Sequence, residues 1–161
     1  MKIMKKLMAL ALASALALTL LTGCGGGGGG SSIKVNGQTL TINKSRVDDF
    51  ENGFTAKMEA LGYGNLTYSA DLTDFIEEAV KEEAKQYDAE SYVATAWKIY
   101  EGDPTWGEIV QEVTGKLKEL ADKNSVDYSG QSYGYLVVTN QDTGKHELIV
   151  MVTSQKTQAV V

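Results

Sequence analysis

The chain has 161 residues, with 15 lysines and arginines, 21 aspartates and glutamates and a single histidine. Three of the bases, Lys2, Lys5 and Lys6, fall in the first 23 residues; beyond them 12 bases face 21 acids, a balance of −9 with no basic cluster. That balance argues against a nucleic-acid partner, because a phosphate backbone rewards clustered cations, and against a protein that lies flat on an anionic membrane.

Met1–Lys6 is short and basic, and Leu7–Leu21 is apolar apart from Ser14 and Thr19. Fifteen helical residues reach about 22 Å at ~1.5 Å each, short of a ~30 Å hydrocarbon core, so this stretch reads as a secretory signal peptide rather than a membrane span. It ends in Leu21-Thr22-Gly23-Cys24. This tetrad resembles the lipobox of bacterial lipoproteins, in which an aliphatic residue and two small ones precede an obligatory cysteine. The resemblance covers residues 1–24 only. It implies a signal peptide over 1–23, cleavage between Gly23 and Cys24, and a diacylglycerol on the sulfur of Cys24. The expected location is then a bacterial cell membrane, with the chain lipid-anchored and facing outside the cytoplasm. Cys24 is the only cysteine, which a lipid attachment accounts for. Two acyl chains give the stable anchoring that one chain does not.

Gly25–Gly30 with Ser31-Ser32 reads as a flexible tether, placing 24–32 between anchor and domain. No Lys-Ser/Thr follows the glycines, so they are not a phosphate loop. The remaining residues, 33–161, make one ordinary domain, large enough to bury a core without disulfides or a metal.

Within that domain, Asn36-Gly37 between β-prone runs predicts a hairpin over Ile33–Asn43, because both turn positions favour positive φ. Ser45, with Asp48 three residues on, resembles a capping box, and Val47, Phe50, Phe54, Met58 and Leu61 form one helical stripe closed by Gly62. Tyr63–Ser69 reads as a loop or short strand. A second helix, capped by Asp71 or Thr73, buries Leu72, Phe75, Ile76, Ala79, Val80, Ala84 and Tyr87 and carries a Glu77–Lys81 pair outside. Ser91–Glu101 fits either helix or alternating strand; Ala89, Ala94 and Ala96 favour helix. A further helix opens at Asp103-Pro104, buries Trp106, Ile109, Val110, Val113, Leu117, Leu120 and Ala121, and ends near Asn124. Ser132–Thr139 and His146–Thr153 are apolar on both faces and flank an Asn140–Lys145 turn, so they read as central strands of a hairpin. Gln158–Val161 can add a short edge strand. The expected class is α+β, a small antiparallel sheet from the N- and C-terminal hairpins covered by three or four helices.

Chemical motifs are sparse. His146 is the only imidazole, no G-x-S-x-G turn is present, and the adjacent acids at Asp48-Asp49, Glu77-Glu78 and Glu82-Glu83 point about 100° apart on a helix. One histidine and one lipidated cysteine offer no zinc-type ligand set, and no cofactor pattern is seen, so neither metal nor cofactor is expected. Trp97, Tyr100 and Trp106 lie around Glu101-Gly102-Asp103 and are the candidate ligand-binding residues, since aromatics beside acids can stack on sugar rings; the same stripes also suit Trp97 and Trp106 to core positions. Tyr63, Tyr68, Tyr128, Tyr133 and Tyr135 lie in Gly/Ser/Asn-rich stretches whose composition resembles binding loops. The expected function is a non-catalytic binding or accessory domain on an envelope lipoprotein, with an envelope protein or glycan as partner. The alternative is a small surface hydrolase of cell-wall or polysaccharide material.

Overall fold

The computed structural model describes residues 20–21, 30–35, 37–81 and 92–157. In chain order the elements are β1 (Leu20–Leu21), β2 (Gly30–Val35), β3 (Gln38–Asn43), α1 (Asp48–Ala60), β4 (Thr67–Tyr68), α2 (Ala70–Lys81), β5 (Tyr92–Glu101), α3 (Trp106–Asn124), β6 (Val126–Asp127), β7 (Ser132–Asn140) and β8 (Lys145–Lys156). The fold is α+β. One sheet runs in the order β1-β2-β3-β7-β8-β5, with every neighbour along that path antiparallel.

Both hairpins read from the sequence are present. Gly37 takes φ +79° in the first, where Val35 faces Gln38. In the second, the Asn140 side chain accepts from the Asp142 and Thr143 amides, and the Asp142 carboxylate accepts from the Thr39 amide at 2.7 Å. That last bond ties the turn to β3, which pairs with β7 from Leu40–Asn140 to Asn43–Val137. β7 and β8 lie at the centre of the sheet, as their two apolar faces require.

The helices form two layers. On one face α1 and α3 bury Phe50, Phe54, Met58, Val113 and Leu117 against Ala94, Ala96, Tyr133, Tyr135, Leu148, Val150 and Val152. On the other face α2 buries Leu72, Ile76, Ala79 and Val80 against Ile33, Ile42, Leu136, Val138, Ile149 and Met151. α2 approaches β7 at Gly134, where a Cβ would stand 2.7 Å from the Thr73 amide nitrogen. The Thr73 hydroxyl accepts from the Tyr135 amide at 3.2 Å, satisfying β7 in the gap between β3 and β4, which pairs parallel with Ser132-Tyr133.

Several expectations are corrected. Within Ser91–Glu101, where the alanines favour helix, Tyr92–Glu101 is strand β5, paired with β8 over ten positions from Tyr92–Ser154 to Glu101–Lys145. Ala94 and Ala96, poor strand formers in isolation, are buried beneath the α1/α3 layer, where a larger side chain would hold the helices away. The helix starts also move. α1 begins after Val47, whose amide donates to the Tyr135 hydroxyl at 2.7 Å, and no side-chain cap comes from Ser45. α3 begins after Thr105, leaving Asp103 and Pro104 outside, and ends at Ser125 in the left-handed region. For α2 the Ser69 hydroxyl, rather than Asp71 or Thr73, accepts from an amide of the first turn, that of Leu72. Gly53 does not interrupt α1, and Gly62 follows it at φ +97°. Tyr128, Tyr133 and Tyr135 are buried rather than on binding loops. Ala84, Tyr87, Glu82-Glu83 and Gln158–Val161 lie outside the described residues.

The strand β2 starts earlier than the domain boundary set at Ile33. Gly30, Ser31 and Ser32 pair with Asn43, Ile42 and Thr41, and the Ser31 hydroxyl donates to Glu77 at 2.5 Å. Glu77 also takes Lys44 at 2.5 Å and Lys81 at 2.7 Å. Burial alone would raise this carboxyl; the bonds from Lys44, Lys81 and Ser31 outweigh it and bring it down to about 2. Opposite, Glu51 receives Arg46 through two bonds and the Tyr135 hydroxyl at 2.7 Å. The Arg46 bonds, ahead of the opposing effect of burial, hold Glu51 below the usual carboxylate range.

Candidate functional site

The strand identity of β5 decides which aromatics meet. In a helix, Trp97 and Tyr100 would share a face; in a strand, odd and even positions point to opposite faces. Tyr100 packs with the α1/α3 core and Trp97 with the α2 core. The three candidates therefore divide. Tyr100 and Trp106 come together, ring centroids 6.2 Å apart, with Trp106 set against Phe50 at 5.8 Å. Trp97 lies across the sheet, half-buried, with the Lys116 ammonium 5.5 Å above its ring and bonded at 2.6 Å to its carbonyl oxygen.

His146 joins the first group, a placement that the residue types alone do not reveal. It faces Tyr100 on β5 and Thr139 on β7. Its ring stacks on Tyr100 at 5.1 Å, and its Nδ1 lies 2.8 Å from the Thr139 hydroxyl. Tyr100, His146, Thr139 and Trp106 are all half-buried, and burial raises the Tyr100 phenol. The result is a polar-rimmed aromatic shelf at the end of the sheet where α1 and α3 begin. Flat, partly exposed rings beside a hydroxyl can stack on an apolar ligand face and hydrogen-bond its edge. General acid–base work asks for an imidazole within hydrogen-bond reach of the group whose proton it moves, and the group at His146 Nδ1 is the Thr139 hydroxyl.

The neighbouring acid, Glu147, occupies the other face. It alternates with His146 and aligns with Ile149 and Met151 of the α2 core, opposite Ile99 on β5 and Val138 on β7. Its Oε1 is shut off from solvent and has no hydrogen-bond partner among the described residues. Burial pushes the carboxyl up to about 7, with Lys116 pulling the other way. Ile99 beside it is 52 % exposed.

Along the outer face of α3 runs a shallow, open hollow of about 660 Å³, lined by Glu108, Gln111, Glu112, Gly115, Lys116 and Glu119. Lys98 pairs with Glu112 there at 2.8 Å, and the surface is a solvated helix face. Among the described residues no group of three His, Cys, Asp or Glu could hold a metal ion, and no helix is long and apolar enough to cross a membrane. Gly23 and Cys24 lie outside the described residues.

No known protein family, curated protein or solved structure matches this chain.

Proposed function

We propose that the chain is a bacterial envelope lipoprotein, anchored through Cys24 outside the cytoplasm, whose α+β domain binds an envelope partner or glycan and does no chemistry of its own. The observation that carries this reading is the tetrad Leu21-Thr22-Gly23-Cys24 at the exit of a basic-then-apolar leader, with Cys24 the sole cysteine. The binding part rests on the Tyr100–Trp106–His146 shelf. The hydrolase alternative would have to rest on the His146–Thr139 contact, with Tyr100 stacked on the imidazole and Glu147 on the opposite face of the sheet.

Two consequences follow from this reading. Cleavage before Cys24 removes β1, which pairs Leu20 and Leu21 with Val35 and Lys34, and leaves β2 as the outer strand. Gly30, where β2 starts, is six residues from Cys24, so the chain between them reaches about 20 Å at most, at ~3.3–3.6 Å per residue. The domain is thereby kept beside the bilayer surface.

The test is metabolic labelling with a clickable palmitate. The wild type takes up the label and fractionates with membranes. Cys24→Ala loses the label and accumulates as precursor or in the soluble fraction. Labelling of Cys24→Ala at the wild-type level would overturn the assignment.

A further inference from the structure

We propose that Glu147 makes the outer end of the sheet pH-responsive: the carboxyl is neutral while Trp97–Glu101 of β5 is docked on β8, and its ionisation loosens that end. The placement of the group carries the inference. Glu147 sits between Ile99 and Val138, two apolar neighbours that offer no donor, and its Oε1 is both enclosed and unbonded. A neutral acid tolerates such surroundings at modest cost, whereas a carboxylate without a partner does not.

The charges around it are already engaged. From α3, Lys116 attracts Glu147 through space but donates to the Trp97 carbonyl. On β5, Glu101 faces Lys145 at 3.5 Å, and Lys98 is turned to Glu112. On α2, which covers the same sheet face, Glu77 and Asp74 hold Lys44, and Glu77 also holds Lys81. Among the described residues, ionised Glu147 can find a cation only by drawing Lys116 off the Trp97 carbonyl or by moving out to water. Either motion acts on β5, which along the main strand order is bonded on one side only. Ile99, already half in solvent, is where the strand end would lift first.

The experiment is NMR on the full chain in detergent micelles, with glutamate carboxyl carbons labelled and the pH stepped from 4 to 9. One carboxyl should titrate near 7, where burial holds it. The Ile99 and Val138 amides and the Trp97 indole should shift with the same midpoint. In Glu147→Gln that carboxyl signal disappears and the three reporters stay at their low-pH positions. The wild-type titration stands alone if the variant folds poorly. Titration of every glutamate below 5.5, or a reporter transition that persists in Glu147→Gln, would overturn the proposal.

Discussion

Gly134→Ala is expected to lower the melting temperature of the domain by roughly 10 °C, equivalent to about 3 kcal/mol. The added Cβ would stand 2.7 Å from both Leu72 Cβ and the Thr73 nitrogen, and 2.9 Å from the Leu72 carbonyl carbon. Two of those atoms are helix backbone, so no rotamer change relieves the clash; α2 itself must retreat. Retreat opens the contact of Leu72 and Ile76 with Leu136 and Val138, and stretches the 3.2 Å bond between the Tyr135 amide and Thr73. A buried amide left without its acceptor adds its own cost, on the order of 1–3 kcal/mol. Gly115→Ala is the matched control. It lies in the exposed middle of α3 with nothing within 4 Å of the new methyl, and is expected to raise stability by roughly 0.5–1 kcal/mol. Thermal denaturation followed by circular dichroism reads both. Equal melting of Gly134→Ala and wild type would mean that α2 does not seat on β7 as described.

The second large effect is in the pH dependence of stability. A carboxyl held near 7 in the folded state and near 4.5 in the unfolded chain binds its proton more tightly when folded. Stability therefore falls as pH rises from about 4.5 to 7 and levels off above, by up to roughly 3 kcal/mol. Glu147→Gln removes that decline: little different from wild type near pH 4.5, it should be the more stable protein at pH 8. The acid side has the opposite sign. Glu77, held at about 2 by Lys44, Lys81 and Ser31 against its burial, contributes stability that is present above about 4.5 and lost as pH falls towards 2. Glu51, lowered by Arg46, acts in the same sense. Denaturant titrations at half-unit pH steps should show the wild type most stable between about pH 4 and 5 and the variant reaching a plateau above that. Parallel curves for the two proteins would show that Glu147 is not held neutral.

What could be read from residues alone follows the range of the forces involved. The Val35–Gln38 hairpin pairing, the Asn140–Lys145 turn and the stripe of α2 as far as Lys81 are local signals, and each is found where the pattern puts it. β5 was open to misreading because its alanines suit a helix in isolation; only the helices packed on Ala94 and Ala96 make small strand residues favourable. That one ambiguity displaced the candidate site, since helix and strand send Trp97 and Tyr100 to the same or to opposite sides. The Gly/Ser composition of Gly30–Ser32 signals coil, yet pairing with β3 and the Ser31–Glu77 bond bring these residues into the sheet. His146 meeting Tyr100 and Glu147 meeting Ile99 are matters of strand register, which no periodicity within either strand records.

The central claim, anchoring through a lipid on Cys24, is tested most directly by mass spectrometry of the membrane-extracted protein after trypsin. The account predicts that the N-terminal peptide is Cys24–Lys34, carrying the mass of a diacylglycerol thioether on Cys24, and that no peptide from Met1–Gly23 remains. An N-terminal peptide starting anywhere else, or Cys24–Lys34 with a free thiol, would contradict it.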